Sequence, residues 1–297
     1  MKKSLEGSFL AIAFVLLYGS GFVFTQYGLE NASPMAFLSL RFFIAFMILL
    51  FIAFYLKSAW PKTLKEFLHI SVAGSLTVGT FSLGVFLAIS YGVSASLTAL
   101  VIALQPIVVT FLAMKLLGER INRYGTVGLI TGFLGVCFVL YSTMQFTSEM
   151  IYGVSFSFLA LFGLSFGNLY QKKYCTKMNL FSGGAIQTLA STILILPFLA
   201  YEDIHMNFNG DFIIALIYMT VGVSIGALSL LYIMIEKGAV SKVSSLFYLM
   251  PVSAVFISWF LFDKSIDMMV MVGVVVIFIS ILLIMREKLL FIPIRHL

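Results

Sequence analysis

Long apolar stretches separated by short polar segments make up most of this chain, and they do not alternate apolar with polar residues as barrel strands do. Each is about as long as a helix that crosses roughly 30 Å of hydrocarbon. Because only a helix satisfies all its backbone groups within one such segment, the pattern predicts an all-α membrane protein. We expect ten transmembrane helices, numbered 1 to 10 in chain order, at residues 8–27, 34–56, 67–90, 95–117, 124–141, 151–170, 181–200, 211–233, 240–262 and 268–285.

Composition excludes a soluble protein. Hydrophobic residues make up 61% of the chain and charged residues 10%, and a soluble domain has too little interior to bury that much apolar surface. The net charge of +6 would suggest a nucleic-acid partner in a soluble protein, but here the basic residues fall in the loops between spans. We therefore expect a lipid bilayer around the chain and no nucleic acid.

Lysine and arginine predict the orientation, because cytoplasmic loops retain an excess of both. With the N-terminus and the C-terminus inside, the inner loops collect sixteen of the eighteen basic residues. Of the other two, Lys264 falls in an outer loop and Arg41 inside a span. Moving one helix boundary across a loop would destroy this partition, which supports ten crossings with both termini cytoplasmic.

The second half of the chain repeats the pattern of the first. Residues 91–123 form an apolar span with polar residues at both ends and Pro106 in the middle. Residues 238–267 form a similar span with Pro251 at the corresponding place. Each half contains five crossings, an odd number, so the second half must lie upside down relative to the first. Such inverted repeats are typical of secondary transporters. The two five-helix units are placed at 1–145 and 146–297.

Several short motifs occur along the first five predicted helices. They are Tyr18-Gly19-Ser20-Gly21-Phe22 in helix 1, Ser33-Pro34 and Arg41-Phe42 in helix 2, Gln105-Pro106 and Gly118-Glu119-Arg120 in helix 4, and Gly125, Gly128, Gly132 and Gly135 in helix 5. The glycines form a small-residue face that lets neighbouring backbones approach closely. In order, spacing and duplication, the motifs resemble the drug/metabolite transporter superfamily, of the ten-helix type with two EamA-like domains.

The resemblance implies a function and an architecture. It implies a secondary transporter of the inner membrane that moves a small organic metabolite by alternating access. Amino acids or related compounds are the leading substrates, and export is favoured over uptake. The family architecture implies a central cavity formed mainly by helices 1, 3, 4, 6, 8 and 9. Helices 5 and 10 would be peripheral and available for homodimer contacts.

Arg41 is a candidate for substrate binding because it is the one formal charge inside a span, about 10 Å deep at 1.5 Å per residue from Pro34. Charges in that position are costly and usually have a partner. Its fork of donors suits a substrate carboxylate or phosphate. Alternatively, it bonds carbonyl oxygens or reaches outward to structure the loop between helices 1 and 2.

Helix 1 offers a face that mixes aromatic and polar groups. Tyr18, Phe22 and Thr25 follow one another at spacings of three and four residues, and Gln26 lies beside them. Such a face can line a cavity in which rings stack on an organic substrate and a polar group supplies a hydrogen bond. The same residues can equally serve to pack helices.

Helices 4 and 9 carry matching polar stripes, Thr98 and Gln105 in the first and Ser244, Ser245 and Tyr248 in the second. Serine and threonine in membrane helices often bond their own carbonyl groups or join helices, so a structural role stays open for each. Because the stripes occupy equivalent places in the two halves, we interpret them as cavity-lining.

Two further pairs complete the candidates. Pro106 and Pro251 each remove a backbone donor in mid-span, which suggests paired hinges or local unwinding at the cavity. Asn168 and Gln171 lie three residues apart near the inner end of helix 6. They form an inner gate or solvate a helix end.

The sequence offers little support for an enzyme. It has no zinc-binding His-Glu-x-x-His helix, and its acidic residues and histidines fall in loops or at predicted helix ends. We therefore expect no cofactor and no metal. A facilitator is favoured over coupled transport, for which Glu119, Asp211 and Glu236 are the nearest candidate carriers. The alternatives are an integral-membrane enzyme acting on lipid, or a scaffold or sensor whose interior is filled with apolar side chains.

The expected topology can be checked with reporter fusions. Green fluorescent protein fused to the C-terminus should fluoresce, and alkaline phosphatase at the same place should be inactive, because the C-terminus is predicted to be cytoplasmic. Alkaline phosphatase fused after residue 205, in a predicted outer loop, should be active. An active phosphatase at the C-terminus would contradict the orientation.

Overall fold

The computed structural model describes residues 2–141, 150–262 and 268–285, and the regular elements in these ranges are helices. Eight helices are long and apolar enough to cross a membrane, and two shorter apolar ones accompany them in the same ranges. The predicted ten-helix, all-α fold is thus confirmed. The helices are α1 Lys2–Leu29, α2 Pro34–Tyr55, α3 Leu64–Ser90, α4 Ala95–Ile102 with Gln105–Leu116, α5 Arg123–Tyr141, α6 Met150–Tyr174, α7 Leu180–Tyr201, α8 Gly210–Lys237, α9 Val240–Ser244 with Ser245–Leu249 and Met250–Phe262, and α10 Met268–Met285.

Local sequence explains where many helices begin. The side chains of Thr63, Ser94, Asn179 and Asn209 accept hydrogen bonds from the first free N–H groups of α3, α4, α7 and α8. Such caps satisfy donors that have no partner within the helix. At the start of α2, Pro34 occupies the first turn, where its missing N–H costs nothing.

The helices pair as two inverted halves require. Across the halves, α2 packs against α7, α4 against α9, and α5 against α10. Other main pairings occur twice, since α3 on α6 is matched by α8 on α1, and α4 on α6 by α9 on α1. Exchanging the halves therefore preserves these main pairings, although the contact of α5 with α9 has no comparable α10–α4 counterpart. The predicted boundary at 145/146, and the predicted outer position of Lys264, lie outside the described residues.

Four helices are irregular at equivalent places in the two halves. In α3, residues Ser75–Thr80 form π-helical turns, and in α8 residues Tyr218–Ala227 do the same. Helix α4 is interrupted between Ile102 and Gln105, and α9 contains a 3₁₀ segment immediately before Met250. Wide π turns are rare and tend to mark functional sites.

The small-residue face of α5 is buried against α10. A side-chain carbon added at Gly132 would lie 2.5 Å from the Ser280 hydroxyl oxygen and 2.5 Å from a Tyr248 ring carbon. Neither neighbour is free to move, because Ser280 donates to the Gly128 carbonyl at 2.7 Å and Tyr248 donates to the Leu129 carbonyl at 2.8 Å. The glycines predicted to permit close approach thus serve packing within the chain.

This packing can be tested with a single methyl group. Gly132→Ala should destabilise the protein by about 1–3 kcal/mol through overpacking, although alanine is the better helix former. Its thermal unfolding midpoint in detergent should fall relative to wild type. Gly210→Ala is the matched control, because a carbon added there meets nothing within 4 Å. Equal midpoints for the two variants would contradict the close packing of α5 on α10.

Candidate functional site

A small, partly open cavity with about 20 Å³ of free volume lies between helices of both halves. Helices α1, α2 and α3 of the first half and α8 of the second contribute its walls. The lining residues are Tyr18, Gly21, Phe22, Thr25, Arg41, Phe81, Ser82, Val85, Phe86, Met219 and Val223. The sequence predicted four of them, Tyr18, Phe22, Thr25 and Arg41. Through Arg41, α2 joins the walls although the helix set implied by the family resemblance omits it, whereas α4, α6 and α9 do not line this cavity.

Arg41 is 3% exposed and faces the cavity. Its Nε donates a hydrogen bond of 2.8 Å to the hydroxyl of Ser224 in α8, across the two halves. Ser224 in turn donates to the Met219 carbonyl at 3.1 Å, five residues back, which is the spacing of a π turn. The guanidinium also lies 5.3 Å from the centre of the Phe42 ring. The widened turn of α8 is thus what brings Ser224 to Arg41.

The face of α1 predicted from spacing lines the cavity over three of its residues. Tyr18 and Phe22 are buried, and the Tyr18 ring packs 5.6 Å from that of Phe81 in α3. Thr25 lies on the same wall and donates to the Gly21 carbonyl at 2.8 Å. Gln26, one residue further on, is exposed and lies outside the cavity. The face of α1 that carries Tyr18, Phe22 and Thr25 therefore lines the cavity, and the neighbouring position Gln26 does not.

The polar stripes of α4 and α9 are buried elsewhere in the bundle. Thr98, Gln105 and Ser244 are at most 1% exposed, and their side-chain polar atoms have no hydrogen-bond partner among the described residues. By contrast, Ser245 donates to the Lys242 carbonyl at 2.7 Å, and Tyr248 joins α9 to α5. Buried polar groups are usually paired, so the first three stand out as groups without a structural bond.

Both predicted hinge prolines mark a change in helix geometry. Pro106 is the second residue of Gln105–Leu116, just after the break in α4. Pro251 is the second residue of Met250–Phe262, just after the 3₁₀ segment of α9. Since proline lacks an N–H, it fits the first turn of a new helix better than a continuous one. A departure from regular α-helix thus precedes each proline, as a break in α4 and as a tighter 3₁₀ segment in α9, and the hinge role of the two prolines stays a prediction.

Asn168 and Gln171 lie inside the protein. Asn168 is 1% exposed, and its side-chain oxygen has no partner in the described ranges. Gln171 accepts a hydrogen bond of 2.9 Å from Gln187 of α7 and borders a second small cavity with Cys175 and Tyr232. Packing of α7 and α8 over this end of α6 buries both side chains, so they do not simply solvate a helix end.

Some site residues escaped sequence reasoning. Phe81, Val85 and Phe86 in α3, and Met219 and Val223 in α8, are apolar and indistinguishable in sequence from lipid-facing residues. One signal was available, since Thr-Val-Gly occurs at 77–79 and again at 220–222. Both copies fall in the π-helical turns. This repeat would have identified the two equivalent segments.

Carboxylates close both ends of the interface between the halves. Near one end, Glu119 accepts hydrogen bonds from the N–H groups of Val240 and Ser241 and from the Ser241 hydroxyl, at the start of α9. At the other, Glu202 accepts from the N–H groups of Met35 and Ala36 at 3.0–3.2 Å, at the start of α2. A carboxylate is favourable there because a helix N-terminus carries partial positive charge and free N–H groups.

Comparison with known proteins agrees with this architecture. The EamA-like transporter family matches residues 5–141 and 151–286. An uncharacterized transporter of Buchnera aphidicola subsp. Schlechtendalia chinensis is 24% identical over 86% of this chain and 85% of its own length. A probable amino-acid metabolite efflux pump of Salmonella typhimurium is 26% identical over 66% of this chain and 63% of its own length.

The fold also has a counterpart among solved structures. One crystal structure superposes with a TM-score of 0.77 at 16% identity, over 94% of this chain and 97% of its own. At that identity the likeness concerns the fold alone. The family match covers both halves of the chain, and its two segments coincide with the two inverted helix sets. The chain belongs to the EamA-like transporter family of the drug/metabolite transporter superfamily, with two EamA domains.

Proposed function

We propose that this protein is a secondary transporter of the inner membrane that carries a small organic metabolite by alternating access. The observation that supports it best is the cavity between the inverted halves, lined by buried polar groups and aromatic rings. Transporter substrate sites are expected at such repeat interfaces, next to irregular helices. Here α3 and α8, with their π-helical turns, form two of the walls.

Alternating access requires that the two ends of the interface open in turn. Glu119 and Glu202 each join the halves at one end, through a helix N-terminus of the other half. The unpaired polar groups of Thr98, Gln105 and Ser244 supply a reason for opening, since exposure to water would satisfy them. Pro106 and Pro251 stand where α4 and α9 would bend.

Amino acids or related metabolites, moved outward, are the proposed cargo. Proteins similar to this one in Salmonella typhimurium and Escherichia coli are named probable amino-acid metabolite efflux pumps. The cavity has little free volume in this conformation, so a ligand enters only when the halves move apart, which favours a small metabolite over a large drug. Of the three candidate carriers, Asp211 and Glu236 are exposed, whereas Glu119 is half-buried and bonds the start of α9. A facilitator stays the favoured mechanism, with Glu119 as the remaining candidate for coupling. Contact between outer faces of α5 and α10 in a homodimer stays a prediction.

No feature of the described residues favours the two alternatives, a lipid-processing enzyme and a scaffold or sensor. A lipid-processing enzyme needs clustered catalytic groups, and the described part of the chain has no group of three or more His, Cys, Asp or Glu suited to a metal. A scaffold was expected to have an interior filled with apolar side chains. The Arg41 guanidinium and the Thr25 hydroxyl border a cavity instead.

The role of Glu119 can be tested by thiol labelling. Cys175 is 5% exposed and borders the small cavity at the same end as Glu119. In a Cys137→Ala background, Glu119→Gln should speed maleimide labelling of Cys175 roughly 3- to 10-fold, because it weakens charge-assisted bonds that hold the halves together. Glu66→Gln is the control, since Glu66 accepts only from Lys62 N–H within its own half. Equal labelling rates in both variants would argue against a gate at Glu119.

Transport itself can be measured with purified protein in liposomes. Counterflow of radiolabelled amino acids, organic acids and nucleosides, with and without a pH gradient, should reveal flux of at least one class. Thr25→Val should reduce that flux about 3- to 10-fold by removing a cavity hydroxyl. Thr131→Val in α5 is the control, because that hydroxyl makes the same bond to a carbonyl four residues back. Absence of flux for every class would refute the proposal.

A further inference from the structure

The cavity contains a buried cation without a counter-ion. Arg41 makes one hydrogen bond, from Nε to Ser224, and no carboxylate of the described residues forms an ion pair with it. Arginine offers several more N–H donors in a planar fork. A charge held at this depth in a membrane protein is costly and usually marks a substrate pathway. The remaining donors border the cavity and are available to a ligand.

A second unpaired group lines the same cavity. The Tyr18 side chain is 3% exposed, and its hydroxyl has no hydrogen-bond partner in the described ranges. Buried hydroxyls are normally paired, because an unpaired one loses its bonds to water without replacement. The guanidinium and this hydroxyl line the same cavity, and each can donate a hydrogen bond.

The rest of the wall is apolar. Phe22, Phe81, Phe86, Val85 and Met219 surround the polar groups, and no acidic residue is among the lining residues. A ligand that enters would bury an apolar body against these side chains. A ligand ammonium group would find hydroxyls but no carboxylate to balance its charge.

We propose that the cavity binds a small monocarboxylate with an apolar body, with the carboxylate held by Arg41 and Tyr18. This assignment rests on the transport function proposed above and names its substrate class. One unpaired cation balances one negative charge, so monoanions are preferred over dianions. Because no acidic residue lines the cavity, a carboxylic acid without an amino group binds better than the corresponding amino acid, so within the cargo proposed above the assignment selects the related metabolites over the amino acids themselves.

A purely structural Arg41 would behave differently. Its bond to Ser224 joins α2 to α8, and loss of that bond would weaken binding of every ligand through the fold. An anion-binding Arg41 distinguishes charged from neutral ligands of the same shape. The test therefore compares a carboxylate with its amide.

The experiment measures binding to the purified full chain by isothermal titration calorimetry. The probes are phenylacetate, its neutral counterpart phenylacetamide, and the cation 2-phenylethylammonium. Wild type should bind phenylacetate at least about tenfold more tightly than phenylacetamide, because the buried charge otherwise stays unpaired, and the cation most weakly. Arg41→Gln should remove this preference, and Arg41→Lys should keep part of it. Lys115→Gln, which removes an exposed charge in α4, should change nothing.

Tyr18→Phe provides a second route if the arginine variants do not fold. It should weaken phenylacetate binding about 3- to 10-fold and leave phenylacetamide unchanged. Equal affinities of wild type for the carboxylate and the amide would overturn the proposal, as would folded Arg41→Gln and Tyr18→Phe proteins that retain the preference. Counterflow of neutral metabolites without a carboxylate preference would overturn this assignment while leaving transport intact. Absence of any binding and any flux would overturn both.

Discussion

Hydrocarbon offers no hydrogen bonds, and the structure follows from that constraint. Backbone groups that face lipid must be satisfied within their own helix, so irregular backbone is tolerated only where protein surrounds it. The four irregular helices obey this rule, since the π-helical turns of α3 and α8 bury Thr77 and Ser224 and the break in α4 buries Gln105. These mid-helix deviations therefore lie in the interior of the bundle, whereas the 3₁₀ segment Leu196–Tyr201, which contains no buried residue, lies at the end of α7.

The same constraint explains how the halves are joined. Glu119 and Glu202 lie near the ends of the bundle, where a half-exposed carboxylate keeps some contact with water, and each binds free N–H groups that begin a helix of the other half. Deeper in the bundle, neutral pairs such as Gln187 to Gln171 and Thr77 to Tyr232 connect helices. Carboxylate contacts at the ends and neutral pairs inside keep desolvation costs low, and Arg41 is the exception, since its guanidinium is buried inside the bundle and bonds the Ser224 hydroxyl.

The helices could be predicted from sequence because a membrane-spanning segment must be helical and must be long enough to cross the hydrocarbon. Sequence reasoning also identified Arg41, because a charge in an apolar run is conspicuous, and Thr25, because its spacing from Tyr18 places both on one face. It could not separate Phe81 from a lipid-facing phenylalanine, since only packing decides which ring meets the cavity. It also could not foresee that Tyr248 bonds the Leu129 carbonyl, since that depends on how α9 meets α5.

The closeness of α5 to α10 has a mechanical consequence. At Gly128, Gly132 and Gly135 the α5 backbone lies directly against Ile284, Ser280 and Ile277 of α10, so the two helices approach each other closely. The last helix of each half is thereby packed closely against the last helix of the other. We expect α5 and α10 to move together when the halves move, so that the change of shape falls on the irregular turns of α3, α4, α8 and α9.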